Sequence, residues 1–337
     1  MTTSIHMCRV CGLVGEHQVH RVREMMFGTR EPFDYFQCSS CGCLQIAKVP
    51  IAMERFYPPD YYSFQLSCRV DYGGVIRRWL RKQRCRTALF GSGYKLNALL
   101  KHFVEYPREL FATDGALSVG EIVQKCGLRS FAARCLDVGC GAQSQWLSRL
   151  AALGFENLFG VDPYIDSDKR SGDVTIYRRQ LAEMDGAFDL ITFHHSLEHM
   201  DSQLDVLRTA RSLLKPTGVC LVRIPVVSSL VWERYGVNWV ELDAPRHLYL
   251  HSVKSITEVA ARVGLDVFDV VHDSLPFEFY GSEQYVRDIP LNDPASLWVD
   301  DASTIFSEAE KAAFADEALR VNSVGRGGRA GFYMRPL

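Results

Sequence analysis

Leu136-Asp137-Val138-Gly139-Cys140-Gly141 constrains what this chain can fold into more than any other stretch. The run from Cys135 to Val138 reads as a short buried strand. It stops at glycines, which tolerate positive φ and let the backbone come close to a ligand. From Ser144 to Leu153 apolar residues recur three to four apart, with Gly154 just past the end, as in a helix with a C-terminal stop. Residues 157–161 then read as a second strand with Asp162 at its tip. Strand, glycine turn, helix, strand and acid make half of a nucleotide-binding sheet.

A dinucleotide site asks for G-x-G-x-x-G, but the third glycine position here is Ser144. Asp137, two residues before the first glycine, suits a cation better than a pyrophosphate. At these residues the segment resembles motif I of the class I S-adenosylmethionine (SAM) methyltransferases. The resemblance implies that Asp137, Gly139, Cys140, Gly141 and Gln143 pass under the methionine and ribose of SAM. It implies that Asp162, followed by Pro163, binds the ribose hydroxyls, and that Gln180, Leu181 and His194 complete the cofactor site. Gln143 stands where the family usually has another glycine, so the loop is more crowded than usual.

The rest of the chain extends the pattern. Residues 174–177 read as a third strand after a polar loop at 166–172. Residues 188–193 form a fourth, ending in His194-His195-Ser196-Leu197-Glu198-His199. A helix from Gln203 to Leu214 closes at Lys215-Pro216-Thr217-Gly218, and 219–225 is a fifth strand. Ser252 can cap a helix with Ile256, Val259, Ala260 and Val263 inward, before a sixth strand at 265–271. The Leu-Glu-His turn and the Lys-Pro-x-Gly turn strengthen the resemblance, which covers residues 132 to about 272. Pro245-Arg246-His247-Leu248 resembles a branch of the superfamily found in bacterial sugar and cell-surface glycan pathways. The last strand falls at 330–334, which makes 274–324 an insertion and a candidate lid. Ser307-x-x-Glu310 predicts a capped helix within it.

Two knuckles precede all this: Cys8-x2-Cys11-Gly12 and Cys38-x2-Cys41-Gly42. Four thiols so spaced suit a closed, structural zinc site. Eleven cysteines scattered apart from this cluster suggest buried thiols in a cytoplasmic protein rather than disulfides. The N-terminus is polar with no signal-peptide pattern, and no apolar run approaches the roughly eighteen residues of a membrane span. Net charge is -2, and the first fifty residues carry no basic stripe, so the knuckles read as scaffold rather than nucleic-acid readout. Phe56-Tyr57-Pro58-Pro59-Asp60-Tyr61-Tyr62 suggests an ordered linker that wraps the next domain. From Val75 to Phe90 a basic amphipathic helix is predicted, with Val75, Ile76, Trp79, Leu80, Gln83 and Phe90 on its packing side. Such a helix is compatible with a peripheral membrane contact, but a core-packed helix with a solvated basic face is the favoured reading.

The expected architecture is therefore α/β: a Rossmann-like, seven-stranded, mostly parallel sheet with helices on both faces. A zinc ribbon (1–50), a helical pocket region (51–130), the SAM-binding core (131–273), the lid (274–324) and the last strand (325–337) follow one another. The implied activity is SAM-dependent methyl transfer, to an oxygen or a carbon of a small molecule, a sugar or nucleotide-linked sugar. The alternatives are an RNA methyltransferase using the ribbon, or a non-catalytic partner whose crowded loop no longer binds SAM. Removing the acceptor's proton calls for a base, for which His195, then His247, then His199 are candidates. Glu241, Arg246 and Tyr249 are candidate substrate contacts. His195-x-x-Glu198-His199, with His247 downstream, also carries ligand types for a second metal ion.

Overall fold

The computed structural model describes residues 2–58, 74–113 and 115–337. Four short strands, β1 (Thr2–Met7), β2 (Val14–Arg23), β3 (Pro32–Gln37) and β4 (Leu44–Ile46), open the chain. Three helices follow: α1 (Val75–Phe90), α2 (Tyr94–Leu100) and α3 (Val119–Lys125). Then strands and helices alternate through β5 (Arg134–Val138), α4 (Gln145–Leu153), β6 (Asn157–Val161), β7 (Lys169–Ser171), β8 (Val174–Tyr177), β9 (Phe188–His194), α5 (Gln203–Leu213) and β10 (Leu214–Pro225). The chain closes with α6 (Leu230–Tyr235), β11 (Tyr249–Leu250), α7 (Val253–Arg262), β12 (Leu265–His272), α8 (Pro276–Val286), α9 (Glu308–Ser323) and β13 (Arg329–Pro336).

The large sheet runs β12-β13-β10-β9-β5-β6-β8-β7. The strands from β8 to β10 are parallel, and β13 lies antiparallel between β10 and β12. All seven strands expected from the sequence are present. The sheet has an eighth, β7, a hairpin on the edge strand β8 in what reads as a polar loop. Its three residues are exposed, so no apolar alternation marks it.

Alternate residues of the central strands feed two cores, as the pleat requires. Cys135, Leu190, Leu221 and Tyr333 pack under α1, α3 and α4. Leu136, Ile191, Val222 and Phe332 pack under α5, α7 and α9 on the other face. Ser307 caps α9 with the expected Glu310 box, and Ser252 caps α7. Helix α1 departs from expectation: Val75, Ile76 and Trp79 are exposed, and Arg84, Cys85 and Leu89 are buried. Only its C-terminal half reaches the sheet layer, so its periodicity does not say which stripe turns inward. Residues 59–62 of the aromatic linker lie outside the described residues. Phe56, just before them, is buried edge-on against Phe33.

The N-terminal strands form an antiparallel sheet that ends on β11, a strand from the far side of the chain. Its apolar side is continuous with the core of the large sheet. Among the described residues no helix is long and apolar enough to cross a membrane.

Candidate active site

Strands β5 and β6 end side by side, and their loops meet. Gly139 and Gly141 take φ of 70° and 65°. A side chain at Gly139 would put its Cβ 2.7 Å from that of Ser196. Asp162 ties the loops together: one carboxyl oxygen accepts from the Gly141 amide and the other from the Tyr164 amide, each at 2.9 Å. Each oxygen keeps acceptor capacity for a ribose hydroxyl. Ser144, the departure from a glycine fingerprint, caps α4 through the Leu147 amide and donates its hydroxyl to Asp137 at 2.6 Å. Thr192 donates to the other oxygen of Asp137 at 2.8 Å. Burial nevertheless pushes that carboxyl up to about 6.

These loops line a cavity of 1350 Å³, above the ~300–1,000 Å³ of a drug-sized site and large enough for two reactants side by side. Asp137, Gly139, Cys140, Gly141, Gln143, Asp162, Pro163, Gln180, Leu181 and His194 all face it. The structure thus brings the whole implied cofactor set together. The His194 ring lies against Trp146, with centroids 5.1 Å apart. Tyr57 of the linker also lines the cavity and reaches Nδ1 of His199 at 3.2 Å.

The opposite wall carries His195, His199, His247, Glu241, Asp243, Asp273, Arg223 and Arg329. His195 adopts a positive φ of 51°, rare for a side-chain-bearing residue. Arg329 donates to its Nε2 at 2.7 Å, which leaves the proton on Nδ1. Burial and then the Arg329 and Arg223 cations hold its pKa well below the usual histidine range. His199 donates from Nδ1 to the Arg246 carbonyl, and burial pulls it down to about 3. His247 donates from Nδ1 to the Glu241 carbonyl at 2.7 Å. Glu198 sits behind these rings with no exposed surface, and burial pushes its carboxyl up to about 8.

Of the three candidate substrate contacts, Glu241 lines the cavity and the other two do not. Arg246 is fully buried, held by Asp243 and by Glu24 of β2–β3, each at 3.0 Å. Tyr249 is buried in β11, its hydroxyl donating to the Asp201 carbonyl. Both point into the seam between the two sheets, because β11 pairs with β4 instead of facing the cavity. Arg223, Asp273 and Arg329 escaped the sequence reading. Arg223 had a signal, a charge inside the apolar run Val219–Pro225. It pairs with Asp273 in the folded chain.

The four knuckle cysteines also converge. Cys8 and Cys41 sulfurs are 3.7 Å apart and those of Cys11 and Cys38 3.6 Å. A tetrahedron of Zn–S bonds near 2.3 Å has edges of about 3.8 Å. Gln45 donates to the Cys8 sulfur at 2.8 Å, the kind of supporting bond a thiolate ligand receives.

Glycine loop, the acid at the end of the second strand and open carboxyl edge together match the nucleotide cradle of a class I SAM methyltransferase. The chain belongs to the methyltransferase-domain family, whose model matches residues 100–270. It is 30% identical over 148 residues to ubiquinone biosynthesis O-methyltransferases of Xanthomonas campestris strains, a match covering 38% of this chain. The chain spans 59% of the length of those curated relatives. Similar solved structures include a SAM-dependent methyltransferase from Archaeoglobus fulgidus, at 16% identity and TM-score 0.38, over 61% of this chain and 86% of that one. Another is the O-methyltransferase of a trans-AT polyketide synthase multienzyme of Brevibacillus brevis, bound to S-adenosylhomocysteine. It has 14% identity and TM-score 0.38, over 75% of this chain and 79% of that one.

Proposed function

We propose that this protein transfers a methyl group from SAM to a hydroxylated small molecule, a sugar or nucleotide-linked sugar. The observation that carries the reading is the cavity with two unlike walls: a cradle tied by Asp162 on one side, and a wall of histidines, carboxylates and arginines on the other. SAM supplies a methyl already activated by its sulfonium. The residues must then align the acceptor and accept its proton. Alignment contributes up to ~7–11 kcal/mol, and a placed base about 10²–10⁴-fold. The wall suits a polyol, because Glu241, Asp243, Asp273, Arg223 and Arg329 offer both donors and acceptors. Oxygen is the favoured acceptor atom, in keeping with the activity for which the curated relatives are named. The proton leaves on the side of the wall that carries His199 and His247; His195, the first base candidate in the sequence, does not take it, because Arg329 occupies its Nε2 and its Nδ1 already carries a proton. Four-thiolate zinc in the N-terminal knuckles holds a scaffold that has no part in the chemistry.

Calorimetry tests the cradle. SAM should bind the wild type, and Asp162→Ala should weaken it roughly tenfold or more. No heat with SAM or S-adenosylhomocysteine would leave only a non-catalytic partner. A screen of nucleotide sugars with labelled SAM tests the acceptor, and label on RNA but not on sugars would reverse the assignment.

A further inference from the structure

Three polar side chains converge at the histidine wall with no hydrogen bond to join them. Nδ1–H of His247 and of His199 each donate to a backbone carbonyl, that of Glu241 at 2.7 Å and that of Arg246 at 2.9 Å. A carbonyl only accepts, so in both neutral rings the lone pair lies on Nε2. Neither carboxyl oxygen of the fully buried Glu198 has a hydrogen-bond partner. Nε2 of His247 lies 4.0 Å from its Oε1. The N–H of His195, at Nδ1, stops 3.6 Å short of the same oxygen, beyond hydrogen-bond reach. A buried carboxyl facing imidazole lone pairs is unfavourable unless a cation or proton lies between them.

We infer that Glu198, His199 and His247 form a site for a divalent transition-metal ion, separate from the four cysteines. One ligand atom from each lies within 4.8 Å of the other two. Bonds of ~2.0–2.2 Å require donors about 3.0–3.5 Å apart, so the unbonded Glu198 carboxyl closes the gap by a small rotation. Two imidazoles and one carboxylate favour a transition-metal ion such as zinc or iron over magnesium. Both rings already carry the outer hydrogen bond that fixes a metal-ligating histidine. His195, which belongs to the ligand set the sequence suggests, is excluded: Arg329 occupies its Nε2. His199 and His247 line the cavity, so the open coordination positions face the acceptor. The site rests on these three donors alone and stands whether or not the chain transfers methyl groups.

Cobalt titration of the full chain, first stripped of metal, tests it. Two equivalents should bind the wild type, one with thiolate-to-cobalt charge-transfer bands and one without. Glu198→Gln, nearly isosteric, should keep the thiolate bands and lose the second equivalent. A wild type that takes cobalt only with thiolate bands, or a variant that keeps the second ion, overturns the site. If the variant fails to fold, electron spin echo on wild type loaded with manganese decides. Coupling to imidazole nitrogen supports the site, and its absence overturns it.

Discussion

The Tyr35 hydroxyl, from the cysteine-bearing sheet, donates a 2.8 Å hydrogen bond to the carbonyl of His247 on the cavity wall. Tyr35 has no exposed surface, and His247 is itself buried. Tyr35→Phe leaves that acceptor unsatisfied, at a cost of about 1–3 kcal/mol. The expected result is lower turnover with SAM affinity unchanged, read by steady-state kinetics and calorimetry. Equal turnover in the two proteins would show that the bond does not set the loop.

Arg246 is the second tie across this seam. Removing it leaves Asp243 and Glu24 without their counter-charge, although Glu24 still accepts from Phe27 and Thr29, and a broken buried pair costs roughly 3–5 kcal/mol. Arg246→Ala should lower the urea midpoint sharply. A variant that unfolds like the wild type but loses acceptor affinity would make Arg246 a substrate contact after all.

Removal of the zinc proposed for the four cysteines should loosen the same loop. Ser252 and Lys254 at the start of α7 donate to the carbonyls of Cys41 and Ser40, and Ile46 donates to the Leu248 carbonyl at 3.1 Å. Chelation, or Cys11→Ser, is expected to lower the melting temperature and raise amide exchange at residues 243–251. Exchange that rises only in the first fifty residues would confine the metal's effect to the knuckles.

Asp137 predicts a pH dependence of SAM binding. Its raised carboxyl holds a proton in the folded chain below about 6. That contribution to stability is fully present below the ordinary carboxylate value and is lost as pH rises through about 6. A cationic ligand favours the ionised form, so SAM should bind more tightly as pH rises through the same range. Asp137→Asn should flatten the profile. Calorimetry at several pH values checks both, and a flat wild-type profile would refute the coupling.

Much of the nucleotide half was legible because its chemistry is local. Gly139, Gly141 and Asp162 lie within one strand-helix-strand unit, whose geometry follows from periodicity and turn residues. The wall facing it is not local. His195 comes from the end of β9, Arg223 from β10, His247 from the loop before β11 and Arg329 from β13. Spacing along the chain carries no record of which of these meet. Arg246 and His247 are neighbours in sequence, yet one is sealed in an ion pair and the other lines the cavity.

By itself the sequence determined the alternation of strands and helices, the strand-end glycines and acid of the cradle, and four thiols spaced for one ion. Those features depend on residues a few positions apart. Only the tertiary structure decided that β4 would pair with β11, and hence that the N-terminal sheet would hold the His247 loop. It alone also decided which nitrogens of His195 and His199 carry protons, because their hydrogen-bond partners, Arg329 and the Arg246 carbonyl, come from distant segments that only the packed fold brings within about 3 Å.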